Sequence, residues 1–368
     1  MRKGHNRLKI VLLIIMVMSV WCGCLKERTD LDNKAVISTE LKVEYAKQPE
    51  NSNLDITGIS NIFADFYWMG NDNVAYFNED NQLMIYSLKS GTVIKTLECS
   101  NDNAYSQKVS YAEDGIIVYG ISEKQALTGT AYADVYYSDL TSRHIDFKDY
   151  LKDAWYEYQP IRLSRNRKQI AYISKDNILK IYDFDSKKSE DICELGKLYI
   201  VNMEFSWDGK SIMFSGKIMP DNGNEQDGFG FIKIEQKKIN FYEDKYADNR
   251  LQVTQNGVFL DAKAAFFGEK GERCLYRITD EGYEKIRVEN SDETQKVNVS
   301  LSGKFFATQS ENLVKVYKIG EAKPISVFKN EDYNEENSSG NALIIEEDRL
   351  VLCSFAEDKR NRTYSFKY

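Results

Sequence analysis

Histidine is almost absent from this 368-residue chain, which carries only His5 and His144. A Ser-His-Asp or Cys-His mechanism needs an imidazole base, so it would have to rest on His144, and the context TSRHIDF reads as a surface turn between strands. Cysteine is sparse as well. Beyond residue 24, Cys99, Cys193, Cys274 and Cys353 lie far apart, with no CxxC spacing and no clustered framework. That pattern excludes a His/Cys zinc site and favours buried reduced thiols over disulfides. Glycine-rich phosphate loops are missing. No amphipathic helix runs longer than about two turns of the usual 3.6-residue repeat; the best helical candidate is Phe147 to Trp155. No catalytic residue, cofactor or metal is expected from this inventory.

Long apolar runs are missing too, with one exception at the N-terminus. Arg2, Lys3, Arg7 and Lys9 precede an almost unbroken apolar run from Ile10 to Trp21. The run falls short of the roughly 20 residues a permanent membrane helix requires, and reads as a processing signal. It ends in Trp21-Cys22-Gly23-Cys24. The ending resembles the bacterial lipoprotein signal, in which a small residue precedes a cysteine that takes a diacylglycerol and becomes the mature N-terminus. Gly23 and Cys24 match; Trp21 stands where a Leu or similar residue is usual. The resemblance implies lipidation (palmitate-type acylation) at Cys24, attachment to the cell membrane through that lipid, and a globular part on the extracytoplasmic face. An uncleaved anchor is the alternative, with the same address.

Removing residues 1–23 takes away four basic and no acidic side chains, so the net charge moves from −8 to −12. A surface that acidic repels phosphate backbones and anionic headgroups, which excludes nucleic acid as the expected partner. Hydrophobic content of 42% with 29% charged residues is ordinary for a globular chain with a real core.

What the sequence does contain is a repeated hairpin. In FSWDGKSIMFSG (Phe205 to Gly216) two alternating apolar runs flank a turn at Asp208 and Gly209, and Asp-Gly between such runs predicts a tight hairpin with positive φ at both turn residues. Looser copies turn near Asp72, Asp114, Asn166, Ser302 and Glu347. Taken in order, the turns fall 42, 52, 42, 94 and 45 residues apart, and the long interval accommodates a degenerate copy in NGVFLDAKAAFF from Asn256. Seven units of about 45 residues match the period of a four-stranded propeller blade. Each hairpin is followed by an aromatic-bearing strand, a polar turn and an outer strand, and alternation puts Ile85, Tyr136, Ile181, Ile232 and Val316 on comparable faces between blades. The last unit, ending in RTYSFKY, lacks an outer strand. Ser38 to Tyr45 alternates like a strand and is the candidate to close the ring.

The expected architecture is therefore all-β: a seven-bladed propeller, alternatively six- or eight-bladed, of four-stranded blades over residues 56–368. Residues 1–23 form the signal, and 24–55 a polar tether with the ring-closing strand. Ser206, Asp208, Gly209, Lys210, Ile212, Phe214 and Ser215, echoed by Ser302, Gly303 and Lys304, resemble the WD40-like repeat of Tol-type (TolB-like) periplasmic propellers. The Gly-His and Trp-Asp signatures of cytosolic WD proteins are absent. The resemblance implies a fold and a scaffold habit, and no reaction.

Two features stand out as candidate sites. Tyr132, Tyr136, Tyr137, Trp155 and Tyr156 crowd one region where rings would offer a carbohydrate or peptide platform, or fill the space between blades. The insertion KIMPDNGNEQDGFG carries Asp221, Glu225 and Asp227, weak calcium candidates because the spacing departs from the EF-hand loop; a second acidic loop runs from Asn330 to Asn341. The expected function is a monomeric, lipid-anchored, non-catalytic propeller that binds a protein or cell-envelope component through its loops. Two alternatives stand beside it: a secreted carbohydrate-active hydrolase or lyase with paired carboxylates at the central funnel, and a sensory subunit binding a small ligand there.

Overall fold

The computed structural model describes residues 65–367, with breaks at 79–81, 98–107, 121–129, 157–158, 221–222, 224, 245–247, 264–272, 287, 289–293, 295, 311–312, 330–339, 346–349 and 358–359. Among these residues the only helix is one 3-10 turn, Phe147–Asp149, with Asp146 Oδ1 accepting from the Lys148 amide at 2.9 Å. The helix expected over Phe147 to Trp155 is thus a single turn. Its apolar residues Phe147 and Leu151 anchor the segment in the core instead of forming a helical stripe.

All else is antiparallel sheet. Six four-stranded blades span 67–97, 108–146, 162–194, 198–243, 248–286 and 296–329, and a seventh sheet, three-stranded among the described residues, spans 340–367. We number them sheets 1 to 7. In each, strands pair in chain order. The proposed closing strand Ser38 to Tyr45, the signal and the tether lie outside the described residues. The first strand of each sheet is innermost: Tyr67–Gly70, Lys108–Ala112, Arg162–Leu163, Leu198–Phe205, Asp248–Thr254, Lys296–Val299 and Gly340–Ile345 approach one another around an axis.

Among the described residues, seven apolar cores, one between each pair of neighbouring sheets, close this arrangement into a ring. Ile85 shares a core with Ile116 and Val118, Tyr119 with Leu163 and Tyr172, Ile181 with Met203 and Phe214, and Phe229 with Leu260 and Tyr276. Phe259 packs with Val297 and Phe306, Val316 with Ile344 and Val351, and Leu343 and Leu352 return to Val74 and Tyr76 of sheet 1. A strand buried on both sides cannot alternate polar with apolar, which is why second strands such as GIIVYG (Gly115–Gly120) are buried throughout.

Three of the hairpins share one wiring. In sheet 4, Asp208 Oδ1 accepts from the Ser206 hydroxyl (2.8 Å) and the Lys210 amide (3.1 Å), while Ser206 Oγ accepts from the Ser211 amide (3.0 Å). Asn166 with Ser164, and Ser302 with Ser300, repeat the pattern in sheets 3 and 6. The Asp-Gly turn is therefore wider than the two-residue form expected. Residues 207–210 bridge a Ser206–Ser211 pair, and of the two turn residues only Gly209 (φ +73°) is left-handed. The two-residue turn with both φ positive occurs in sheet 1, at Asn71 (+53°) and Asp72 (+58°).

The expected common face holds for Ile85, Ile181 and Val316, which lie across from Ala75, Ala171 and Ala307 and face the following sheet. Tyr136 and Ile232 face the preceding sheet. Their equivalents are Val135 and Phe231, one residue earlier, because a one-residue slip in aligning the units moves a strand residue to the opposite face.

Candidate functional site at the ring axis

The innermost strands of sheets 2, 4, 5 and 6 carry polar residues at two heights, four and six positions before the hairpin turn, and sheet 3 carries one at the first height. The buried tier, nearer the turns, comprises Ser110, Arg162, Glu204 and Asn298 from sheets 2, 3, 4 and 6. Arg162 Nε meets Glu204 Oε1 at 2.8 Å, and the Ser110 hydroxyl lies 2.9 Å from both Glu204 oxygens. Arg162 donates a further bond to its neighbour's carbonyl and lies over the Tyr119 ring, 4.6 Å from its centroid. Its side chain is 1% exposed and that of Glu204 13%.

The second tier is more open. Asp65 Oδ2 pairs with Arg250 Nη2 at 3.1 Å and Oδ1 with the Lys296 ammonium, joining sheets 1, 5 and 6. Arg250 also reaches Asn298 Oδ1 at 3.3 Å, and Lys108 hydrogen-bonds Asn202 Oδ1. Arg250 is 38% exposed, Lys296 20% and Asp65 19%; Lys108 is exposed although inner strands flank it. The two tiers form a cup, with Arg162 and Glu204 as the floor and Lys108, Arg250, Lys296 and Asp65 around the mouth.

Electrostatics follow from that enclosure. Burial, then the Arg162 charge, pushes the Lys108 ammonium down to about 7, with Glu204 opposing. Burial also takes Lys296 down to about 8 against the pull of Asp65. Burial raises the Asp65 carboxyl, but Arg250 and Lys296 together outweigh it and hold the group below its usual range. Behind the mouth a second pair, Arg273 Nη1 to Asp261 Oδ2 at 2.5 Å, is nearly sealed. Burial outweighs Arg273 there and raises the Asp261 carboxyl.

The residues singled out from sequence fall elsewhere. Tyr136 is core. Tyr137 packs on the other face of the same strand beneath the Arg167 guanidinium, and the Tyr156 hydroxyl is tied to the Phe147 carbonyl at 3.1 Å. The Tyr132 ring lies 5.2 Å from that of His144, and the Trp155 amide bonds the Ile173 carbonyl. These five do not share one exposed platform. His144 sits on an outer strand, half-exposed, with Nδ1 2.7 Å from Asp134 Oδ1. Glu225 and Asp227 both face the Lys217 ammonium, at 2.9 and 3.7 Å, so a lysine already stands between the two calcium candidates; Asp221 lies outside the described residues. Among the described residues no group of acidic, His or Cys side chains has metal-ligating geometry, and no helix is long and apolar enough to cross a membrane. Cys193 and Cys274 are free thiols, and burial pushes Cys193 up to about 11. Cys24 and most of the Asn330–Asn341 loop lie outside the described residues.

No protein-family model matches the chain, and no curated protein matches it. Solved structures do. The β-propeller domain of Cps50 (Swd1) from Myceliophteria thermophila superposes with a TM-score of 0.54 at 13% identity, covering 82% of this chain and 96% of that one. Hydrazine synthase of Kuenenia stuttgartiensis gives a TM-score of 0.49 at 8% identity over 91% of this chain and 99% of its own. At such identities the first likeness shows a WD40-like β-propeller fold and nothing about activity.

Proposed function

We propose that the chain is a binding module: a propeller held on the extracytoplasmic face of a membrane by lipid on Cys24, contacting a protein or cell-envelope component through loops at one end of the ring. The observation that carries the reading is the state of the axial carboxylates. Asp65 and Glu204 each accept from cations on other sheets, so the ionisable groups at the axis cross-link the ring. Two-carboxylate glycoside chemistry needs one carboxyl held protonated near neutrality. Asp65 is shifted the opposite way, and the carboxyl that is raised, Asp261, is sealed against Arg273 away from solvent.

Retrieval of the tagged chain from solubilised envelopes, with chemical cross-links mapped by mass spectrometry, tests the reading. Cross-links to one macromolecule, clustered on loops of a single end of the ring, support it. Retention of no macromolecule together with turnover of a small substrate overturns it. Lipid attachment is checked separately: wild-type chain should take up labelled palmitate and partition into detergent, and Cys24→Ser should do neither.

A further inference from the structure

Among the described side chains at the ring axis, cations outnumber carboxylates. Among the described side chains of the two tiers, Lys108, Arg162, Arg250 and Lys296 oppose Asp65 and Glu204. This occurs in a chain of net charge −8. Charges of one sign collected in a cleft with low-dielectric walls focus the field and concentrate counter-ions.

Geometry makes the excess usable. Lys108 has no carboxylate within ion-pair distance among the described residues; its bond to Asn202 occupies one of three N–H donors. Arg250, on the facing sheet, holds Asp65 through Nη2 and Asn298 through Nη1, and its guanidinium carries further N–H donors in the same plane. The inner strands of sheets 2 and 5, which carry these two residues, approach each other across the axis.

We propose that this cup binds a small multivalent oxyanion, a phosphate or a polycarboxylate, between Lys108, Arg250 and Lys296. The anion would supply the charge that Lys108 lacks and recover part of the cost of enclosing it. The site is independent of whether the outer loops hold a macromolecule.

The test is thermal unfolding and calorimetric titration of the purified chain with inorganic phosphate or citrate at or below 1 mM, against chloride of equal ionic strength. Low concentration separates binding from the general stabilisation that both anions give when concentrated. At least one of the two anions should raise the melting temperature and bind with measurable heat; which one does so separates the phosphate from the polycarboxylate form of the site. Lys108→Gln and Lys296→Gln should each weaken binding at least tenfold. Lys210→Gln, an exposed turn residue, should leave it unchanged, and Lys108→Arg should retain it. Lys108→Gln should also melt higher than wild type without added anion, because a repelled, half-enclosed charge has gone; this shows the variant to be folded. No response to either anion beyond chloride overturns the proposal, as does binding by Lys108→Gln equal to wild type.

Discussion

Asp65, two residues before the first strand of sheet 1, and Arg250 of sheet 5 meet at 3.1 Å, and the same carboxylate holds Lys296 of sheet 6, 231 residues further along the chain. One side chain thus ties three sheets whose hydrogen-bonded ladders are otherwise separate. Removing a partner from a buried pair costs about 3–5 kcal/mol, chiefly because the other charges are left enclosed. The partial exposure of this cluster reduces the expected loss for Asp65→Asn to about 1–3 kcal/mol, read by urea unfolding. Because the folded-state pKa lies below the unfolded value, the stability this residue contributes is present above about pH 4 and is lost as the pH falls through the folded value. Asp65→Asn should flatten the acid limb of the stability curve. An unchanged acid limb would show that the three sheets do not depend on this contact.

The depressed lysines have the opposite consequence. Lys108 near 7 and Lys296 near 8 release protons in the folded chain while unfolded lysine holds its own to about 10.4. The unfolded state therefore binds more protons across that interval, and stability rises with pH from about 7 to 10. Lys296 contributes on the order of 1 kcal/mol, and Lys108, which remains open to solvent, adds in the same direction. The charges acting on Lys108 are Arg162 and Glu204, and those acting on Lys296 are Asp65, Arg250 and Asp261. Above pH 10 the trend reverses, since burial holds Tyr76 and Tyr111 up to about 12 while unfolded phenols ionise near 10.

The measurement is melting temperature against pH at fixed ionic strength. Lys108→Gln/Lys296→Gln should level the rise between pH 7.5 and 9.5. A wild-type curve that is flat or falling there contradicts the assignment.

Much of the ring was legible because each unit repeats the same local chemistry. Ser206, Asp208 and Gly209 encode a turn through short-range hydrogen bonds, and that signal survives in sheets 3 and 6. The degenerate copy at Asn256 proved to be a genuine hairpin, Asp248–Thr254 with Gly257–Lys263. The axial site was not read, since its members come from separate units and none is unusual alone. A signal was nonetheless present. Counting back six and four residues from the turns at Asp114, Asp208, Asn256 and Ser302 reaches Lys108 and Ser110, then Asn202 and Glu204, then Arg250 and Gln252, then Lys296 and Asn298. Tyrosine abundance pointed elsewhere because burial between sheets, as at Tyr136, also consumes aromatics.

Two glycines in sheet 4 should respond differently to Ala. At Gly209 an added Cβ meets nothing within 4 Å, so only the left-handed φ of +73° opposes it, at a cost of about 1–2 kcal/mol. At Gly230 the Cβ would stand 1.9 Å from the Asn240 carbonyl oxygen and 2.9 Å from Phe214 Cζ. The first is main chain in a paired strand and the second is core, so neither yields easily. Gly230→Ala should cost about 3 kcal/mol, measured by denaturant midpoint at constant m-value. Equal losses at the two sites would mean that the third strand is free to shift.

The floor of the cup separates packing from charge. Arg162 is sealed over Tyr119 and neutralised by Glu204, which in turn accepts from Ser110. Arg162→Met keeps volume but leaves Glu204 with a hydroxyl as its only nearby donor, and should cost about 3–5 kcal/mol. Glu204→Leu alone leaves the sealed guanidinium uncompensated, and should cost a similar amount. Joined in one chain, the two changes replace an ion pair with apolar groups of comparable size, which is commonly neutral or stabilising, so most of the loss should be recovered. A double-mutant cycle in urea measures the coupling. Additive losses would mean that Arg162 acts through its contact with Tyr119 and not through Glu204.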